Sequence, residues 1–480
     1  MLMRQTILYL PAQIVGPLAQ MAAMIVWTYY LAPEALGAYA IVWAIQELAG
    51  LTALFWWSAY VLRYVAGLRA PEERNRLDAM ESAVQIGAAL VQAAFAAAAV
   101  RFVVDIEPSV HFIAATLAFT LTRNLASHFA DRARAHAEIA AFSVNQIAGS
   151  LLGLGLGLAA FAVFPATPET LLWAYAAAQA AALAAALPLM RWRLRAPAID
   201  RALLAGAWRY GAPLVVASLL FWIGSQSIRF IVQYEEGVAA VGYLTVGWWL
   251  GLRLTTFAAL LVSGASFTVA VRRIAEVGHR AALPQFAMNG ALLLAVLVPS
   301  VAGVILLGGS MVEALVAAPY RAMTGMVLPL AVAAGALRVF KNHGSDQCFL
   351  LFERTTLNVW STVLEALATV AGCWIGLKLG GVHGAALGCL VAACVAGAAS
   401  FAVANRLFGY YLDGRDLARI AGATAAMSAV LALLPPAHSL GGLLVEIAAG
   451  AAVYGAAMAA LYPDPVRRIA GRAGLLLARR

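Results

Sequence analysis

Six side chains of this sequence stand where a membrane-length apolar run should carry no charge. Glu47 lies about ten residues into the run that opens at Gly37, and Arg253 about eleven into the run that opens at Gly242. Arg229 stands in the preceding run, Arg123 and Arg338 near the ends of two others, and Glu365 inside another. An ionised group near a bilayer centre costs about 2.5–3.5 kcal/mol on insertion scales, so such a group faces a protein interior or a water-filled cavity. Arginine suits a phosphate or pyrophosphate, because its planar fork makes paired charge-assisted hydrogen bonds. Arg253, Arg123, Arg338 and Arg229 are therefore candidate anion ligands, and Glu47 and Glu365 are candidate coupling or gating groups. At 1.5 Å of rise per residue, Glu47 and Arg253 both sit about 15 Å below the outer surface. They could pair across a cavity; the alternative is that each bonds a neighbour in its own half of the chain. Arg229 is nearer the outer end and could snorkel. Arg123 and Arg338 could instead serve only the rule that positive loops stay inside. Glu365 and Glu446 have no evident partner in the sequence.

The remaining reactive residues form no centre. The seven histidines, among them His128 and His343, are scattered over loops and run ends and read as interface residues. Cys348, Cys373, Cys389 and Cys394 show no C-x-x-C spacing and read as buried thiols, not metal ligands. No hydrolase or transferase motif and no G-x-x-x-x-G-K-[ST] phosphate loop is present. An enzyme is not expected, nor is any cofactor; energy would come from an H+ or Na+ gradient or the membrane potential. Trp56-Trp57 and Trp248-Trp249 recur in related runs. They could stack on sugar rings, although core packing and interfacial anchoring are the commoner uses.

The elements that must position these groups are membrane helices. The 480 residues are 63% hydrophobic and 11% charged, against about 25% charged in soluble domains. An all-α polytopic fold with fourteen spans is expected, near 6–31, 37–62, 79–103, 109–129, 138–164, 169–190, 207–232, 238–267, 284–307, 323–345, 354–377, 382–405, 417–435 and 440–462. Residues 308–324 are apolar enough for an interfacial helix. The net charge of +9 does not point to nucleic acid, since the arginines collect in alternate short loops. Arg63, Arg132, Arg134, Arg191, Arg272, Lys341 and Arg406 mark one side, and Glu34, Asp105, Glu169, Glu235 and Glu313 the other. Both termini are then cytoplasmic. Residues 465–480 form a basic tail suited to an anionic inner leaflet.

The sequence repeats itself. Tyr9-Leu10-Pro11 and Tyr210-Gly211-Ala212-Pro213 open corresponding spans, as do Gly37-Ala38-Tyr39 and Gly242-Tyr243. Arg123-Asn124, His128, Asp131 and Arg132 answer Arg338, Lys341-Asn342-His343 and Asp346. Two lobes follow, 1–195 and 196–410, with two extra helices at 411–464. A polar-lined repeat of this kind marks a transporter built from related halves.

With Leu31-Ala32-Pro33-Glu34-Ala35-Leu36-Gly37-Ala38-Tyr39 and Leu379-Gly380-Gly381-Val382-His383-Gly384-Ala385-Ala386, the chain resembles the multidrug/oligosaccharidyl-lipid/polysaccharide (MOP) flippase superfamily, and within it the Wzx-type polysaccharide transporters. The resemblance implies two six-helix lobes around a central cavity and an undecaprenyl-pyrophosphate-linked oligosaccharide as cargo. It further implies the bacterial inner membrane, with membrane lipids, a polysaccharide polymerase and a chain-length regulator as partners. A cation-coupled multidrug exporter is the alternative, against which the span from Gln5 to Leu31 lacks any acid. A peptidoglycan-precursor flippase is another, but its arginine-rich first span is missing here.

Overall fold

A computed structural model describes residues 2–67, 70–102 and 109–462. The expected tail at 465–480, the loop acids Asp105 and Glu107 and the loop residue Arg69 lie outside the described residues. The described residues are helical: α1 (Leu2–Tyr30), α2 (Pro33–Ala53), α3 (Phe55–Tyr64), α4 (Pro71–Phe102), α5 (Val110–Ala135), α6 (Ile139–Val163), α7 (Pro168–Ala186), α8 (Arg201–Glu236), α9 (Val238–Val277), α10 (His279–Leu315), α11 (Ala318–Phe340), α12 (Asp346–Leu351), α13 (Thr355–Phe408), α14 (Gly414–Leu433) and α15 (Leu440–Leu461). The expected span 37–62 is divided between α2 and α3, and 354–377 and 382–405 share α13; among the described residues, ten helical stretches are long and apolar enough to cross a membrane. The expected interfacial helix at 308–324 is not formed. α10 runs on to Leu315 and α11 begins at Ala318, because the apolar run needs no break there.

The starts of the helices are written in the sequence. Ser109, Thr167, Asp200, Asp413 and Ser439 each accept a hydrogen bond from a backbone N–H of the first turn, satisfying donors that the helix itself cannot. Faces are inverted relative to a soluble protein. Along α13, Ser361, Glu365, Thr369, Cys373 and Leu377 recur every fourth residue and are buried, while Trp360, Leu367 and Ile375 are exposed. Along α5, Thr116, Thr120, Asn124, His128 and Arg132 keep the same spacing and are also buried. Apolar side chains turned outward on this scale suit hydrocarbon, not water.

The chain divides into two compact units, 1–245 and 246–480. In the first, α8 packs on α2 and α3, although the repeat assigns it to the second lobe. The reason is close backbone approach. A Cβ on Gly37 would meet Val238 O at 2.0 Å, and one on Gly242 would meet Pro33 O at 1.9 Å, so only glycine fits at either place. The two glycines that mark the repeat thus touch each other's segments. In the second unit, α13 folds back on itself at Gly380–Gly381, where Gly381 takes φ 57° and ψ −148°. Its two arms then pack with Gly376 against Gly384 and Gly372 against Gly388.

Candidate functional site

Each unit encloses a polar core. In unit 1 the α4 and α5 ladders face one another. Arg132 donates from Nη1 to Glu81 Oε2 and from Nη2 to Asp78 Oδ1, both at 2.6 Å. His128 Nε2 lies 2.7 Å from Glu81 Oε1, and its Nδ1 lies 2.7 Å from the hydroxyl of Ser58 on α3. All five side chains are buried. One turn deeper, Asn124 bonds Gln92 and Gln46. Glu47 on α2 is the next polar group. Its Oε1 accepts from Trp43 Nε1 at 3.2 Å and its Oε2 from Gln226 Nε2 of α8 at 2.6 Å. Both Glu47 oxygens are therefore engaged inside unit 1, one by its own half of the repeat and one by α8, which the repeat assigns to the other half. The guanidinium of Arg123 lies over the Trp43 ring at 5.1 Å and opens on a cavity of about 30 Å3 lined by Ser127, Asn145, Gln146 and Gln179. A second cavity of about 220 Å3 is lined by Gln46, Glu47, Ser58, Asn124, His128 and Asp131 among others.

Unit 2 repeats the plan with different chemistry. Glu365 on α13 lies 3.2 Å from Arg338 Nε and 3.0 Å from Lys341 Nζ. Arg338 also donates to Thr369 Oγ1 at 3.0 Å. Lys341 reaches Asp346 at 2.7 Å, and that carboxylate accepts further bonds from Ser361 and Ser400. A π-helical turn at Lys341–Ser345 joins α11 to α12 and lets Lys341 and Asp346 face inward together. Arg253 on α9 lies over the Trp249 ring at 5.0 Å, a cation–ring contact like that of Arg123 with Trp43 though not at the position related to it by the repeat.

No family model matches the sequence, and no curated protein is similar to it. Among solved structures, the chain is similar to one described as the lipid II flippase MurJ in an inward closed conformation. That likeness covers 96% of this chain and 100% of the other at 14% identity, with a TM-score of 0.72. The chain is also similar to a MATE multidrug transporter of the MOP superfamily, outward-facing, over 85% of this chain and 95% of the other at 13% identity and a TM-score of 0.59. For an inward-facing form the values are 84%, 98%, 15% and 0.57. The fold is that of the MOP flippases and transporters.

On this MOP fold several sequence expectations change. Glu365 does have partners, Arg338 and Lys341, and Glu446 accepts a bond from Ala437 N at 2.8 Å. Arg338 and Lys341 are thus not loop charges that merely orient the chain, and neither are Arg132 and the interior His128. Arg229 is buried, so it does not snorkel. Trp56, Trp57 and Trp248 are core side chains; only Trp249 of the two pairs is partly open. Cys348, Cys373 and Cys389 are buried free thiols as expected, whereas Cys394 is exposed. Asp78 and Glu81 were missed by sequence reading altogether. Their signal was available: two acids three residues apart on one span, and two bases four residues apart on the next.

Proposed function

We propose that this chain is a flippase that carries an undecaprenyl-pyrophosphate-linked oligosaccharide, an O-antigen or exopolysaccharide repeat unit, from the cytoplasmic to the outer leaflet of the bacterial inner membrane by alternating access. The observation that supports it best is the extent of the likeness to the lipid II flippase, 96% of this chain, against 84–85% for the multidrug transporters. A chain with helices beyond a twelve-helix plan calls for the longer match. Fourteen crossings with both termini cytoplasmic belong to the same proposal. Arg253 serves the pyrophosphate, its guanidinium held over the Trp249 ring, and Arg123 stands over Trp43 in the same way within its own unit. Arg338, bound to Glu365, acts by holding α11 against α13. Glu47 sets the position of Trp43 and so of Arg123.

A peptidoglycan precursor as cargo is the second reading, favoured by the likeness to a lipid II flippase. Against it, Arg4 is the one cation within Leu2–Tyr30. The experiment is export of surface glycan in a strain that depends on this chain, at matched protein level. Arg253→Ala should abolish export, and Arg253→Lys should restore little, since it keeps charge without the fork. Full export by Arg253→Ala would remove the arginine from the mechanism.

A further inference from the structure

Unit 1 holds a further cavity, apolar where the others are polar. It measures about 620 Å3 and lies between α4 and α5, with Leu194, Arg195, Ala196 and Pro197 of the segment joining α7 to α8 along its rim. Leu54, Ala88, Ala89, Leu121 and Leu125 form its walls. Ile86 and Leu194 at the opening are 54% and 78% exposed, so the cavity is entered from the outside of the unit. Gln92 closes the other end, its Oε1 accepting from Asn124 Nδ2 at 2.8 Å.

The shape of this cavity follows α4. Ser82, Gln85, Ala89 and Gln92 recur at three or four residues and so share one face of that helix. From Ser82 to Gln92 the helix rises about 15 Å, which is the hydrocarbon depth of one leaflet, half of about 30 Å. The expected span opens at residue 79, so the cavity begins just inside the apolar layer. Ala88 and Ala89 leave room between α4 and α5 that larger side chains would fill. A slot of this length and lining suits a hydrocarbon chain.

The mouth is basic. Arg191 N donates to Glu138 Oε1 at 2.8 Å and Ala198 N to Ala79 O at 3.2 Å, which fixes the rim segment at both ends. Residues 191–201 hold four arginines against a single acid, Asp200, and Asp200 lies 3.6 Å from Arg76. In the Arg195 guanidinium, Nη2 donates to Asn75 Oδ1, while Nε is buried without an acceptor among the described residues. Gln85 Nε2, on the same cavity, is likewise buried without an acceptor. Unpaired buried donors are costly, and each of these sits on a long side chain that can turn toward an acceptor placed in the mouth. Asp78, on whose charge Arg195 also acts, is engaged by Arg132 Nη2 at 2.6 Å. We propose that this cavity holds one chain of an anionic two-chain phospholipid of the phosphatidylglycerol kind, with its phosphate at Arg195 and Gln85 and its second chain left in the bilayer. Basic pockets between membrane helices take anionic headgroups in this way. A soluble anion has no use for the apolar slot, and an uncharged chain leaves the two donors unpaired. The site does not rest on the transport reading above.

The test is native mass spectrometry of the full-length protein, stripped of lipid in detergent and titrated separately with phosphatidylglycerol and phosphatidylethanolamine of the same chains. Wild type should bind the first bound lipid about fivefold more tightly as phosphatidylglycerol. Arg195→Gln should bring that ratio to about one. Arg193→Gln, whose arginine is exposed and outside the cavity lining, should leave it unchanged. Ala89→Trp fills the slot and should remove one bound lipid whatever its headgroup; where that variant does not fold, the two arginine variants decide alone. A wild-type ratio of one, an equal fall in Arg193→Gln, or full binding by folded Ala89→Trp overturns the proposal. Displacement of phosphatidylglycerol by equimolar undecaprenyl pyrophosphate overturns it as well, by assigning the cavity to a prenyl carrier.

Discussion

At the scale of single residues, the buried charges set this molecule apart, and they are unforgiving. Glu365 faces Arg338 and shares Lys341 with Asp346, so Glu365→Gln removes the carboxylate from Arg338 while Lys341 keeps Asp346. Removing one partner of a buried pair costs about 3–5 kcal/mol, so a large fall in thermal stability in detergent is expected. Adding Arg338→Met to that variant should recover much of the loss, because the Lys341–Asp346 pair that remains is balanced; no recovery would show that the loss does not come from the Arg338 charge. His136, at the C-terminal end of α5 and outside the expected span, gives a pH prediction. Burial, then Arg132 and Arg74, hold its imidazole below the usual histidine range. The folded protein therefore binds that proton later than the unfolded chain does. Stability is intact above the ordinary histidine range, about 6.5, and is lost as pH falls through it. Melting curves of wild type and His136→Gln should converge at pH 8 and separate at pH 5.5, with the wild type lower.

At the scale of elements, the inverted helices explain how polar groups come to be inside. The i, i+4 ladder of α5 and that of α13 place every polar residue on one stripe, and lipid-facing side chains take the rest. Such ladders were readable in the sequence, since Thr116, Thr120, Asn124, His128 and Arg132 keep a strict spacing of four. They do not stand out because Arg132 and Lys341 also fit the alternation of loop charge, which gives no sign that either residue points into a helix-packed interior. Gly37 and Gly242 were legible as marks of a repeat, but their mutual contact was not, since a sequence does not show which backbones approach. The hairpin in α13 depends on the same kind of approach. A Cβ on Gly376 would stand 2.0 Å from Gly384 O, so Gly376→Leu should force the arms apart and prevent accumulation of folded protein. The matching measurement is fluorescence-detected gel filtration of Gly376→Leu beside Gly397→Leu, whose Cβ meets nothing within 4 Å. Equal profiles would mean that the arms yield.

At the scale of the whole molecule, membrane class and the all-helical fold followed from hydropathy and spacing, because lipid allows few backbone solutions. The cargo did not, because sugar selectivity resides in cavity shape and not in residue periodicity. Topology is testable without reference to cargo. A reporter fused after Glu236 should read outside and one after Arg273 inside, given the arginine bias of the loops; two reporters on one side would invert part of the chain. The central claim is the cargo class, and the most direct measurement is transbilayer movement in vesicles that contain only this protein. Three labelled cargoes are offered separately: an undecaprenyl-pyrophosphate-linked oligosaccharide, a peptidoglycan precursor on the same lipid, and a cationic drug. The account predicts movement of the first, with the third left behind. Movement of the drug alone, or of the peptidoglycan precursor alone, would contradict it.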